Sequence, residues 1–567
     1  MCGFCGFLLG QSKYDSYQSK KILYEMNNAL THRGPDEEGY EILEQEQIYL
    51  GHKRLSILDL NKRNNQPFID VSKQISLVFN GEIYNFLELK EILKDKYKFI
   101  TTGDTEVLVA AYHVWGFDLL KKIKGMFSFC ILDKKKKLIF CARDHLGQKP
   151  FHYYYDNNNF IFSSELRSLL KHPLIEKKLN IKNTLNYLHY DAFIGSESPV
   201  MNCFKLNPSE YLVFNFKDKK LNKFKYWKTN FEENNVDQKE FQNNFIDLFK
   251  NSINNHLRSD VPIGIYLSGG IDSTSIAYLA SKKLGYNNLT AFNLEFGNST
   301  FDEDIAAKKT AKKLNIKLIS HKIELNDQLK KVKTLIENLD EPLADPGYLA
   351  IGMIAEVAKN YNFKVMISGD GGDELFGGYE PFLKLGIFNS IKNSNFLKFL
   401  IKIYNKFSKD TFEYMGFNYK LRVFAKGLDK NDDYYNSRWL CSFTPNEIKK
   451  LINNKYLENS EFNESSIYEY VKELIGFTKK DSNDFVKLLS QYQNHYLPNL
   501  ICSHTDKANM LYSVEARSPF LDKDLFEYTN SKNNNLKTNH GKSKIILRNL
   551  LNKNNFKYIG KAKKKGF

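Results

Sequence analysis

Residues 222–240, NKFKYWKTNFEENNVDQKE, separate two stretches of sequence that do not fit one layer architecture. Before them come short aromatic and β-branched runs, among them QISLVFNGEIYNF, GMFSFCILD, KLIFCARD and NFIFSSE, punctuated by turn residues. That grammar belongs to antiparallel strands. Two segments, Lys20–Thr31 and Asp104–Trp115, repeat apolar residues every three or four positions and read as helices. After the polar stretch, apolar strands alternate with helical segments: VPIGIYL, TSIAYLASKKL, LTAFNLEF, EDIAAKKTAKKL, IKLIS, YLAIGMIAEVAKNY and FKVMIS. Strands that are apolar throughout and joined by helices predict a parallel sheet covered on both faces. The expectation is an α+β domain over residues 2–220 and an α/β domain over 240–567, with 382–500 mostly helical. Within that region NFLKFLIKIYNKF is basic and amphipathic. It reads as a helix docked on the second domain rather than one lying on a membrane.

The chain has 567 residues. At roughly 100–200 residues per domain, more than one core is required. Lys and Arg exceed Asp and Glu, and the net charge of +16 raises the question of nucleic acid. Lysine and asparagine are spread along the whole chain, however, as in NKNNFKY, so the charge reads as a compositional bias and disfavours a nucleic-acid partner. No apolar run reaches the ~18 residues that span a bilayer. The first residues carry no basic, apolar and small-residue succession of a signal peptide, so the expected location is the cytoplasm. Seven scattered cysteines do not form a disulfide framework. Cys2 and Cys5 form a CxxC, but no second pair completes a zinc site.

The chain opens MCGF. Removal of Met1 would leave Cys2 with an α-amine of pKa ~7.7–8.0 beside a thiol of ~8.5, a nucleophile and a base on one residue. THRGPD (31–36), GHKRLSILDL (51–60), FNGEIYN (79–85), TGDTEV (102–107), RDHLGQKPFHYYY (143–155) and FSSEL (162–166) follow in order. With MCGF they resemble the glutaminase domain of class II amidotransferases, which are N-terminal-nucleophile hydrolases with an αββα sandwich. The resemblance implies that Cys2 attacks the side-chain amide of glutamine, and that Asn80 and the Gly81 N–H receive the oxyanion. It further implies that Arg54 grips the α-carboxylate, while Asp104, helped by Glu82, holds the α-ammonium. Cys5 reads as core.

VPIGIYL runs into SGGIDS (268–273) and then into a helix. A glycine pair between strand and helix offers backbone N–H groups to an anion. The GxxxxGK[ST] loop is absent. VMISGDGGDELFGGY (365–379) packs Asp370, Asp373 and Glu374 beside Ser368 and Gly369, a composition suited to Mg²⁺ on phosphate oxygens. With LDEPLADP (339–346) and DKANMLYSVEARSPFLD (506–522), these loops resemble the ATP-pyrophosphatase domain of glutamine-hydrolysing asparagine synthetases. The resemblance implies ATP contacts at Leu267, Ser268, Gly269, Gly270, Asp272, Ser273, Leu294, Ser368 and Gly369, and magnesium on Asp272 and Asp373. It places Asp370 where a carboxylate serves formation of the β-aspartyl-AMP intermediate. KAKKKGF at the end resembles a K-x-G-F segment and selects Lys564; a plain basic tail is the competing reading. The family runs several tens of residues further, so the chain reads as a short member or a truncated one.

The implied activity is asparagine synthesis from aspartate, glutamine and ATP, with ammonia passing between sites through an enclosed passage and a homodimer compatible with the family. Two alternatives stay open. One is the same chemistry on another carboxylate, such as a sugar acid of a surface polysaccharide. The other is a non-catalytic or nucleic-acid-binding protein.

Overall fold

The computed structural model describes residues 2–560, except 11–13, 232–233, 287, 296–302, 324, 408–417, 419–420, 422–424, 426–439, 459–469, 474–477, 480–481 and 540. The first 225 residues contain β1 (Gly3–Leu8), β2 (Glu37–Leu43), β3 (Ile48–Arg54), β4 (Phe68–Ile69), β5 (Ile75–Ile83), β6 (Gly125–Asp133), β7 (Leu138–Arg143), β8 (His152–Tyr155), β9 (Phe160–Ser163), β10 (Cys203–Lys205), β11 (Glu210–Asn215) and β12 (Leu221–Lys225). They form two antiparallel six-stranded sheets, ordered β10-β8-β9-β1-β3-β2 and β12-β11-β7-β6-β5-β4. The sheets face each other across Phe4, Leu50, Val78, Leu132, Phe151, Phe162 and Phe214. The outer face of the first sheet packs Phe7, Tyr49 and Ile161 on Leu23 and Met26 of the helix Ser16–Asn28. The outer face of the second packs Phe127, Phe129 and Phe140 on the helices Phe86–Leu93 and Asp104–Trp115. This is the αββα sandwich. Cys5 lies fully buried in the outer cluster of the first sheet, as expected of a core residue.

Two boundaries differ from expectation. The first helix starts at Ser16 because Asp15 and Gln18 form a capping box. The second sheet continues past residue 220, because Leu221–Lys225 pairs antiparallel with β11.

In the second half, β13 (Ile263–Tyr266), β14 (Thr290–Glu295), β15 (Lys317–Lys322), β16 (Val365–Ile367) and β17 (Glu515–Arg517) form an all-parallel sheet, ordered β15-β14-β13-β16-β17. The chain starts at the centre, winds outward to β15, then crosses back to β16. The order therefore reverses between β13 and β16. Loops leaving the carboxyl ends of strands at such a point form the crevice where open α/β sheets bind ligands. One face is covered by the helix Gln238–His256, whose Phe241, Phe245, Phe249 and Ile253 recur at helical spacing.

The stretch NFLKFLIKIYNKF forms the helix Asn395–Phe407. It meets the helix Leu385–Lys392 through a small cluster around Phe388 and Ile401, while Phe396, Phe399 and Phe407 are exposed among the described residues. It is therefore less deeply docked than the sequence suggests. No helix among the described residues is long and apolar enough to cross a membrane.

Candidate active sites

The first site is built on strand ends. Cys2 precedes β1, and its backbone N–H donates to Asn80 Oδ1 at 3.2 Å. Asn80 and Gly81 lie on β5, where Asn80 is fully buried. Its Nδ2 has no hydrogen-bond partner among the described residues, which leaves a preorganised donor beside the cysteine. Gly81 has φ +149°, and a Cβ there would stand 2.0 Å from the Met126 carbonyl oxygen, so only glycine lets β5 and β6 close at this point. Cys2, Arg54, Gly81, Glu82, Asp104 and, from the second half, Glu515 line one cleft.

Arg54 lines this cleft, but its fork is already in use. Nη1 donates to the Asn61 carbonyl (3.1 Å) and Asn65 Oδ1 (2.7 Å), and Nη2 to the carbonyls of Leu58 (3.2 Å) and Asp59 (2.5 Å). A buried guanidinium must satisfy its donors, and the 58–65 loop does so. A carboxylate would have to exchange with these contacts or use the remaining donor, Nε.

The acidic wall is held by an arginine from the second half. Arg517 Nη2 pairs with Glu82 at 2.9 Å and its Nε with Glu515 at 2.6 Å, all three fully or nearly buried. One guanidinium thus serves two carboxylates, with Asp104 close by. Burial pushes the Glu82 carboxyl up against the pull of Arg517. Burial likewise raises Asp104 to about 6, opposed by the Ile83 N–H that it accepts at 2.9 Å. Replacing Arg517 by methionine should cost about 3–5 kcal/mol, since it removes the buried cation that Glu82 and Glu515 both contact. A denaturant unfolding midpoint measured at pH 7.5 checks this.

The second site sits at the switch between β13 and β16. The loop Leu267–Gly270 turns into the helix Ile271–Tyr278, with Gly270 as its N-cap. Ser268 Oγ accepts from the Gly270 N–H (3.2 Å) and lies 3.2 Å from Ser273 Oγ, which holds the loop closed on itself. Leu294, at the carboxyl end of β14, packs with Ile323 and Met353. From the loop after β16, Ser368 Oγ donates to Asp370 Oδ2 at 2.9 Å, and Thr505 Oγ1 donates to the same oxygen at 2.9 Å. Asp272 and Asp373, in the first turns of the helices Ile271–Tyr278 and Gly372–Phe376, converge on the Lys544 ammonium, with Asp373 Oδ1 at 2.6 Å. Burial works against that ammonium, but the two carboxylates outweigh it and raise its pKa. Lys564 lies outside the described residues.

The two sites are tied by the helix Cys502–Met510. Thr505 reaches Asp370. The next residue, Asp506, accepts from Arg33 Nη2 at 2.9 and 3.1 Å, and Arg33 Nε donates to the Cys2 carbonyl at 3.1 Å. Beside this helix lies a pocket, partly open to solvent, lined from the first half by Arg143, Phe151 and Lys205 and from the second by Glu341, Cys502 and Asp506. Burial depresses Lys205 to about 8.

Sequence reasoning missed Arg33, Glu515, Arg517, Asp506 and Lys544. The first four lie inside motifs that drew attention, THRGPD and DKANMLYSVEARSPFLD. Only the register of β17 and the packing of the halves reveals their contacts.

Residues 1–227 match the glutamine amidotransferase domain family, and residues 244–567 match the asparagine synthase family. A putative glutamine-hydrolysing asparagine synthetase 2 of Methanocaldococcus jannaschii is 36% identical over 397 residues, covering 67% of this chain and 76% of its own. Glutamine-hydrolysing asparagine synthetase 1 of Bacillus subtilis is 31% identical over 557 residues, covering 97% and 84%. Amidase chry2 of Gibberella zeae is 24% identical over 563 residues, covering 94% and 82%. The two domain matches together define an ATP-driven ligase that takes amide nitrogen from glutamine. Within that class, the chain belongs to the glutamine-hydrolysing asparagine synthetase family.

Proposed function

We propose that the acceptor is aspartate and that the product is asparagine, formed through β-aspartyl-AMP with release of pyrophosphate, AMP and glutamate. The acceptor follows the names of two relatives, which are asparagine synthetases, and the observation that supports the coupling of the two sites is the pairing of neighbours on one helix: Thr505 on the carboxylate of the nucleotide loop, Asp506 on the arginine behind Cys2. Two reactions on one rigid element fit the making and consuming of a single intermediate.

In the first cleft, Cys2 acts after loss of Met1, its own amine taking the thiol proton. Burial raises the thiol pKa, so the base is needed. Asn80 Nδ2, together with the Gly81 N–H, stabilises the oxyanion. Arg54 orients the glutamine carboxylate, and Glu82, Asp104 and Glu515 hold its α-ammonium. Because Asp104 must be ionised for this, glutamine binding should weaken as pH falls through about 6. KM for glutamine should rise roughly tenfold per pH unit below that point, whereas KM for ATP shows no such limb. A pH series of both constants checks it.

Ammonia released to water would become ammonium and lose its lone pair. The pocket beside Arg143 and Lys205, where the two halves meet, is the stretch of the molecule assigned to the ammonia route. In the second crevice, Leu267, Ser268, Gly269, Gly270 and Ser273 cradle the ATP phosphates, Ser368 and Gly369 meet the nucleotide, and Leu294 packs the adenine. Asp272 and Asp373 fit a magnesium ion, because their oxygens converge on one point and Mg²⁺ takes one or two carboxylates, with phosphates and water completing its shell. When bound, it would neutralise phosphate charge. Asp370, held by Ser368 and Thr505, serves the adenylation, and Lys564 is assigned to the same step.

Product analysis tests the acceptor. With glutamine and ATP, aspartate should yield asparagine and AMP in equal amounts. Turnover only on another carboxylate from a panel that includes sugar acids would overturn aspartate while keeping the ligase chemistry.

A further inference from the structure

The Lys544 ammonium occupies the point on which Asp272 and Asp373 converge. It contacts Asp373 Oδ1 at 2.6 Å and stands closer still to Asp272 Oδ2. A Mg²⁺ ion bonded to both carboxylates at ~2.0–2.1 Å would fall in the same space and repel the ammonium. The two cations exclude each other.

The fold is arranged to bring this lysine in. Lys544 is buried, with φ +58° and ψ +38°, at the start of the helix Ile545–Lys553. That left-handed conformation is costly for a lysine and persists only where the surroundings hold it. Gly378 makes room: a Cβ there would stand 1.8 Å from Asp373 Oδ1 and 2.8 Å from Lys544 Cε. The helix following the lysine packs against Ile271–Tyr278, the helix that carries Asp272. Its backbone anchor is thus fixed, so any exchange for a metal falls to the four-carbon stem alone.

We propose that Lys544 is the resident cation of this site. In the nucleotide-free enzyme it holds the two acidic helix starts together and keeps divalent ions out, and it yields only when the metal arrives together with nucleotide phosphates. The proposal rests on the reading of Asp272 and Asp373 as metal ligands. The lysine is a positioning residue here: it presets the spacing of two carboxylates that would otherwise repel, and it makes metal entry conditional on nucleotide.

The test uses Mn²⁺ as the probe and electron paramagnetic resonance of the full chain as the readout. Without nucleotide, wild type should hold no stoichiometric Mn²⁺. Lys544→Gln should bind one ion per chain at least tenfold more tightly than wild type, and should lose it again when Asp373→Asn is added. Lys544→Arg keeps the charge and should resemble wild type. In melting experiments Lys544→Gln should be less stable in EDTA and recover with Mn²⁺, whereas wild type should not respond. Nucleotide-free wild type binding Mn²⁺ as tightly as Lys544→Gln would overturn the proposal. So would a Lys544→Gln protein that melts like wild type and gains no ion. The underlying reading has its own arm: if wild type with a non-hydrolysable ATP analogue shows no Mn²⁺ signal that depends on Asp373, the metal ligands are misassigned.

Discussion

Cys2→Ala should abolish glutamine-dependent amide synthesis, by roughly 10³-fold or more, while synthesis from added ammonium salts continues near the wild-type rate. The asymmetry is the informative part. The thiol touches only the first cleft, and the change removes a single sulfur from a strand end held by β3 and β9. The backbone contacts of Cys2 to Asn80 and Arg33 survive the substitution, so the tie to the second crevice stays in place. Parallel assays with glutamine and with ammonium chloride, each following AMP, distinguish the outcomes. Loss of both activities would mean that the cysteine supports the fold. Retention of the glutamine activity would remove it from the chemistry, as would active protein in which mass spectrometry finds Met1 still attached.

The second large effect is expected at the other crevice. Asp373→Asn should lower synthesis from either nitrogen source by roughly 10²–10³-fold, because a metal ligand on the phosphates contributes several kcal/mol to the transition state. Hydrolysis of glutamine in the absence of ATP should be unchanged, since Asp373 is not among the described residues that line the first cleft. Pyrophosphate release and glutamate formation, measured separately on the same protein, make the check. If glutamate formation falls equally, the acidic pair acts through the shared helix rather than on nucleotide.

Much of this was readable beforehand, and the reasons differ from place to place. The helix Asp104–Trp115 was found with its bounds intact because apolar residues recur at helical spacing right up to Gly116. The crevice loops were legible because a run of apolar residues meets a glycine pair, a break in period that survives any tertiary context. β17 was not, because its three residues, Glu-Ala-Arg, look like surface. They are buried because β17 pairs with β16 and because Arg517 finds Glu82 on another sheet and the carbonyls of His256 and Arg258, partners distant in the chain. Lys544 was missed for a similar reason. In GKSK it looks like a basic turn, and nothing local reports that two acids from separate helices wait for it. Arg54 shows the converse case: its position in the cleft was legible, but not the loop carbonyls that already occupy its fork.

β17 also bears on modularity. It completes the parallel sheet of the synthetase half, yet it delivers Glu515 to the wall of the hydrolase cleft and Arg517 to the Glu82 carboxylate that lines it. A hydrolase excised at the junction near residue 230 would lose the guanidinium that neutralises Glu82. The two catalytic units therefore cannot be exchanged between relatives as free-standing cassettes; a chimaera must inherit this strand together with the partner that it serves.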